Sequence, residues 1–466
     1  MNFITLLKKI IPIAFSGCGV TLIGFLFKTL SKKTNDEAKS VKDNHSKNTF
    51  RDINGNSNIV FNNGGDVIYR DTNEDIGMLE DKYQDACSYV KVDREKALKK
   101  FEKLLDSLSG NSSSKLFYLV NSKIGMIYGM KAFDKDKRHN CEMAIKFYVD
   151  AFEKKKGIEY EIICNDYHNL GNIYCMLGET YNKEENTLKA IECYKQSLEI
   201  CNQINNKCAY GETLGSIGLA YRSLSIVKDK GKNLQYAIDY FKQGEKYCNK
   251  GEKYANLKHN QAITYVDLFK MYHNKVYLTK AKNAFECALA VFSIETAPIN
   301  YAVLKGNMAN FYIYMYEYSK DKSYIDKAIQ CCEDALLVQT KASYPQGYAL
   351  CNRNLGNCFF ELFRVNSLKE YFEKSLEAYE EALNIYNVIN EPLHYAYVQK
   401  SIGDLYSVLA DIEEKEKNLQ KSICFYDKSL NIITLEKYPE DNIEVKKAKQ
   451  IVQMKLVDEK NKGQCL

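Results

Sequence analysis

The sequence predicts an all-α solenoid of antiparallel helix pairs, and three observations carry that prediction. First, a small residue recurs at Gly125, Gly171, Gly218, Ala262, Ala309, Gly356 and Gly403, at intervals of 46, 47, 44, 47, 47 and 47 residues. Second, other columns keep the same phase. An aromatic follows three residues later (Tyr128, Tyr174, Tyr221, Tyr265, Tyr312, Phe359, Tyr406) and a second small residue nineteen later (Ala144, Ala190, Ala237, Ala281, Ala328, Ser375, Ser422). Four residues beyond the second small residue stands Tyr148, Tyr194, Phe241, Phe285, Cys332, Tyr379 or Tyr426, and seven beyond it another small residue. Steps of three, four and seven keep side chains on one helix face. Small residues let two helices approach, and an aromatic one turn away fills the groove between them. Third, Pro298, Pro345, Pro392 and Pro439 lie 47 apart. Proline suits the first turn of a helix and not its interior, so these mark the starts of first (A) helices.

The elements follow in chain order. Residues 1–32 read as a membrane anchor. Ile10 to Phe27 carry no charge and are flanked by Lys8-Lys9 and by Lys28, Lys32 and Lys33. Eighteen residues at ~1.5 Å each span ~27 Å, enough for a thin bilayer. Two alternatives are a cleaved signal peptide and a lipoprotein signal. Phe15-Ser16-Gly17-Cys18 resembles a lipobox, but the apolar run continues past Cys18. The excess of lysine after the span places the bulk of the chain on the cytoplasmic side, so the expectation is a single-pass protein with a cytoplasmic repeat domain.

Residues 33–77 form a polar linker. Within them a β-hairpin is expected at 57–70, where two short β-branched runs flank Asn62-Asn63-Gly64-Gly65. A lone two-stranded hairpin is marginal in water and needs a docking surface. The repeat array occupies 78–435. Met78 to Ser109 fit one more pair with a degenerate first helix, as suits an end unit. Residues 436–466 read as a capping helix and tail. Asp441 to Lys460 are rich in Lys and Glu, the composition of a solvating cap.

Composition limits the function classes. Lys+Arg 65 against Asp+Glu 60 gives a net charge of +5 over 466 residues, which offers no electrostatic case for nucleic acid as a partner. The 16 cysteines include no CxxC pair, and several fall in amphipathic stretches. They read as unpaired, small buried hydrophobes in a reducing compartment, with no zinc-ligand spacing and no metal expected. No P-loop, HExxH, GxSxG or GxGxxG is present, so no cofactor and no catalysis are expected. His139 with Cys141 lies in a lysine-rich turn without an oxyanion hole nearby.

The columns resemble the tetratricopeptide repeat family. Leu170-Gly171-x-x-Tyr174 matches that family's first-helix signature, and Ala190-x3-Tyr194-x2-Ser197 its second. The unit of about 47 residues is longer than the family's usual 34. It is similar to arrays attached to caspase-like peptidase domains in bacteria, although with 37 residues after Ser429 no such domain is expected in this sequence. The resemblance implies a right-handed superhelix whose A helices line a concave groove. It also implies that the positions three before and one after the small residue point into that groove. From those columns and their neighbours, His168, Asn172, Asn260, Asn310, Arg353, Asn357 and Lys400 are the candidate partner-binding residues. An asparagine amide can both donate to and accept from a peptide backbone. Arg353 and Lys400 suit a carboxylate or phosphate. Arg353, Asn357 and Lys400 match in part the family's clamp for peptide carboxylates. The expected function is a non-catalytic, membrane-tethered scaffold binding a protein or peptide partner. The alternative is a sensor or adaptor subunit of a bacterial defence or signalling system that acts with a separate effector.

Overall fold

The computed structural model describes residues 60–61, 67–68, 72–108, 114–134, 136–389, 391–436 and 438–464. Two short strands, β1 (Val60–Phe61) and β2 (Val67–Ile68), pair antiparallel with Val60 opposite Ile68. Nothing else of the hairpin expected at 57–70 falls among the described residues.

From residue 72 onward every described element is a helix. Contacts divide the described helices into two compact units, one ending at Asn249 and the other starting at Lys250. The first unit contains four A–B pairs: α1 (Thr72–Tyr89) with α2 (Arg94–Leu108), α3 (Ser114–Lys131) with α4 (Lys137–Glu153), α5 (Tyr160–Gly178) with α6 (Lys183–Gln203), and α7 (Lys207–Leu224) with α8 (Lys230–Glu245). The second contains α9 (Gly251–Tyr272) with α10 (Lys275–Leu289), α11 (Pro298–Ser319) with α12 (Ser323–Leu336), α13 (Pro345–Asn366) with α14 (Lys369–Leu383), and α15 (Pro392–Leu409) with α16 (Lys415–Leu430). A final unpaired helix, α17 (Pro439–Gln464), follows. In each unit a helix packs most closely on its own partner and next on the following pair. The expected prolines open α11, α13, α15 and α17, where a missing N–H costs nothing.

The recurrent small residue lies under the recurrent ring. A Cβ placed on Gly171 would lie 2.5 Å from the Tyr194 ring, and one on Gly356 would lie 2.5 Å from Tyr379. Those rings are fully buried, as are Tyr148, Phe241, Phe285 and Tyr426 in the other pairs. Each such ring contributes about 2–3 kcal/mol by leaving water.

The turn between A and B helices repeats a backbone feature that the sequence hides. A residue with positive φ stands eleven positions after the small residue in all seven repeats: Asp136, Asn182, Asp229, His273, Lys320, Ser367 and Glu414. None of them is glycine. Where Asp136, Asn182, Asp229 and Glu414 occupy this place, an asparagine follows four residues on (Asn140, Asn186, Asn233, Asn418). The side-chain amides of Asn186, Asn233 and Asn418 donate to the carbonyls of Tyr181, Lys228 and Glu413 and tie the turn down. After His273, Lys320 and Ser367 the same position holds Tyr277, Tyr324 and Tyr371, and the A helix runs right up to the left-handed residue.

Exposed ion pairs link successive repeats along the edge that carries these turns. Lys228 pairs with Glu184, Lys137 with Glu179, Lys369 with Glu413, Lys415 with Glu459 and Lys455 with Asp411.

Two expectations need correction. The single-pass, membrane-anchored topology with a cytoplasmic array is not what the structure gives: among the described residues no helix is long and apolar enough to cross a membrane. The apolar run 10–27 lies outside the described residues. Nor are all cysteines unpaired. Cys164 on α5 and Cys201 on α6 form a disulfide, with Cα atoms 6.3 Å apart, while twelve other described cysteines are free.

Candidate functional site

The A helices of each unit lie beside one another, so polar side chains three before and one after the small residue meet neighbours on both sides. Their partners determine which of them remain available.

The column one after the small residue faces the B-helix ring. Tyr194 donates its hydroxyl to Asn172 Oδ1 at 2.7 Å, Tyr379 to Asn357 Oδ1 at 2.7 Å, and Tyr426 to Asp404 Oδ1 at 2.6 Å. A buried phenol needs an acceptor, and these side chains supply it. Where the ring is phenylalanine, the acceptor is replaced by an apolar residue: Phe241 stands with Leu219, and Phe285 with Ile263. Asn310 stands opposite Cys332, which has no hydroxyl to give. It is half-buried, and among the described residues no hydrogen bond holds its amide.

The column three before the small residue joins successive A helices. His168 places Nδ1 3.0 Å from Thr213 Oγ1 and Nε2 3.5 Å from Ser216 Oγ, both on α7. Burial lowers its pKa to about 4, so the imidazole is neutral. His259 Nε2 accepts from Asn307 Nδ2 at 2.9 Å, and Asn260 beside it is buried. Lys400 lies 2.9 Å from Glu444 on α17 and 3.3 Å from Asp404. Burial opposes its charge, but Asp404 and Glu444 outweigh that and raise its pKa.

Arg353 differs from all of these. It lies half-buried on α13 with no carboxylate partner among the described residues, and its buried Nε has no acceptor. Its charge acts on the phenols of Tyr386 and Tyr397. Tyr386 donates to the Gln346 carbonyl at 3.4 Å, and Tyr397 to Asp441 Oδ2 at 2.9 Å. Neither phenol can neutralise the guanidinium.

The structure therefore engages His168, Asn172, Asn260, Asn357 and Lys400 in packing, and leaves Arg353 and Asn310 free on A helices of the same unit. Tyr386 and Tyr397 were missed in the sequence. Tyr386 belongs to a buried column thirty residues after the small residue (Cys201, Cys248, Phe292, Gln339, Tyr386, Ile433), and it alone there carries a hydroxyl. Among the described residues no group of three or more His, Cys, Asp or Glu side chains could hold a metal ion. Cys141, considered above with His139, is fully buried. Burial raises its thiol pKa to about 12, so it is protonated and inert at neutral pH.

Helix pairs stacked at a fixed pitch, most with a small residue under a partner ring, define a tetratricopeptide-like array. No protein-family model matches the chain, and no curated protein matches it. Among solved structures it is similar to the apo form of RapI, at 13% identity over 82% of this chain and 99% of that one, with a TM-score of 0.47. It is also similar to a Rap protein complexed with competence and sporulation factor, at 13% identity, 82% and 99% coverage and a TM-score of 0.39. A third is a tetratricopeptide repeat protein from Parabacteroides merdae, at 13% identity, 80% and 98% coverage and a TM-score of 0.30. Likeness at this level says nothing of what the present chain binds.

Proposed function

We propose that this chain is a non-catalytic protein-binding scaffold that holds an anionic segment of a partner protein at Arg353. The observation that carries the reading is the unpaired guanidinium. Five of the seven candidate side chains have been drawn into packing, yet Arg353 lies half-buried without a counter-ion. Leaving a cation there costs free energy unless something else supplies the negative charge. A carboxylate or phosphate on an extended peptide suits the planar, bidentate guanidinium fork. Asn310, one A helix upstream, adds an amide that can bond a peptide backbone. Preorganised helices hold both groups at low entropic cost to binding.

The test uses the full chain and an array of acidic and phosphorylated peptides, read by fluorescence anisotropy. Arg353→Gln should weaken the best binders at least about tenfold, the loss of one charged hydrogen-bonding contact. Lys400→Gln should change them by less than about threefold, because its charge is already spent on Glu444 and Asp404. Equal loss in both variants, or none in Arg353→Gln, defeats the reading.

A further inference from the structure

The terminal helix α17 opens on a proline in phase with its predecessors and so stands where an A helix should be, but no B helix follows it among the described residues. Its charges look solvating in the sequence. In the structure they turn back onto the preceding pair: Glu444 to Lys400, Lys449 to Asp427, Lys455 to Asp411 and Glu459 to Lys415. Val445 and Val452 are buried on that same side. The opposite side is apolar and bare. Ile443 is 46% exposed, Ile451 59%, Met454 68% and Val457 56%.

Phase identifies this bare face. Ile443 occupies the place of Ala302, Ala349 and Ala396, and Val457 that of Tyr316, Phe363 and Ala410. All six of those are buried. In α13 the cover comes from its own B helix, since the Phe363 ring packs on Phe372 of α14 at 5.7 Å. The exposed stripe of α17 is therefore the surface that a B helix covers in every earlier pair. A B helix runs antiparallel to its A helix.

We propose that the occupant is α17 of a second copy of this chain, laid antiparallel across a two-fold axis. The charges on the stripe favour this partner. Lys447 near its start and Asp458 near its end are exposed and form no ion pair among the described residues, Asp458 acting on Lys415 only at longer range, and they sit eleven residues apart on the same face. Antiparallel packing brings each Lys447 against the other copy's Asp458, twice by symmetry. It also places Ile451 and Met454 of the two copies together at the centre. A parallel copy would set Lys447 against Lys447 and Asp458 against Asp458. The helix, about 39 Å long at ~1.5 Å per residue, gives room for the full contact.

Sedimentation velocity on the full chain between about 1 and 100 μM covers the affinities a small interface supports. Wild type should be a dimer that dissociates on dilution. Met454→Asp should weaken association at least tenfold with helical circular dichroism unchanged. Lys447→Glu and Asp458→Lys should each weaken it, and the double charge swap should restore it. These last two positions are exposed, so the swap decides the matter even if Met454→Asp perturbs folding. A monomer throughout the range overturns the proposal. So does a dimer indifferent to Met454→Asp and to the single charge reversals.

Discussion

The pairs α13/α14 and α15/α16 are adjacent repeats with the same architecture, yet they treat their cation in opposite ways. Both set a basic residue three before the small residue, Arg353 and Lys400. Both use the residue after the small one to accept a buried phenol, Asn357 from Tyr379 and Asp404 from Tyr426. An amide does that work as well as a carboxylate, but only the carboxylate also reaches the cation four residues back. Lys400 is thus neutralised by Asp404 and again by Glu444, and Arg353 is left bare. Nitrogen for oxygen at the tip of residue 357 against 404, and tyrosine for glutamate at 397 against 444, separate the bare cation from the neutralised one. In the other unit, His168 occupies the same column and meets a third fate: it is neutral and bonded to the next A helix.

The largest expected effect tests the shared architecture. Gly356→Ala should destabilise by about 2–3 kcal/mol and Gly403→Ala by about 1–2 kcal/mol, since overpacking forces rings off their positions. The Cβ meets Tyr379 at 2.5 Å in the first case and Tyr426 at 2.9 Å in the second. Urea denaturation of the two variants checks the order, and a larger loss at Gly403 contradicts it.

His168 gives the next largest effect. Its folded pKa of about 4 lies below the unfolded value near 6.5, so the unfolded chain binds the proton first. The associated stability is complete above about pH 6.5 and is lost as pH falls toward 4. By pH 5 the loss should reach about 2 kcal/mol. Denaturation midpoints of wild type and His168→Gln at pH 7.5 and 5 measure it; parallel shifts in both proteins would assign the loss elsewhere.

Asn357→Asp converts the first repeat into the second. Tyr379 keeps an acceptor, so stability should change by less than about 1 kcal/mol. Arg353 gains a carboxylate, and anionic peptides should bind about tenfold more weakly by anisotropy. Retained binding would place the peptide elsewhere.

The smallest effect concerns the turns. Ser367→Gly and Glu414→Gly should each stabilise by about 0.5–1 kcal/mol, because both residues hold a left-handed backbone that glycine adopts freely. Thermal melts would show it, and a lower Tm in both would reverse the argument.

The fold was legible because a repeat multiplies a weak local signal. One small residue followed by an aromatic means little, but seven such pairs in register fix the helix pairs and their contact. The candidate site was less legible, since groove exposure depends on what each neighbour presents. Part of the answer was still written in the chain: Tyr accompanies Asn172, Asn357 and Asp404, whereas Phe accompanies Leu219 and Ile263; Tyr148, beside Met126, departs from the rule and bonds Asn169 instead. Asp404 also sits one helical turn from Lys400, a spacing that pairs charges. Glu444 lies on the following A helix, so its reach to Lys400 depended on knowing that successive A helices touch. The left-handed column was hidden because its seven residues share no chemistry. The charges of α17 misled for another reason. Composition counts lysines and glutamates without saying which way they face.

The ion pairs make each unit behave as a laminate that salt can soften, glued most densely along the A–B turn edge, with Lys115–Glu159 and Lys341–Glu381 at the opposite edge. Exposed pairs weaken with ionic strength, whereas the ring-on-glycine contacts across the body of each pair do not. Raising salt should loosen the stack most along the A–B turn edge and leave every helix intact. Spin labels at Leu188→Cys and Lys232→Cys, both exposed near the starts of α6 and α8 and outside the ion pairs, would then move apart between 0.05 and 1 M salt (about 14 Å and 3 Å of Debye screening) at constant helicity. A fixed label distance would mean the apolar layers alone set the pitch. Labels that move apart would make the repeat unit an elastic element whose stiffness differs between its two edges, and whose spacing is tuned by the ions around it.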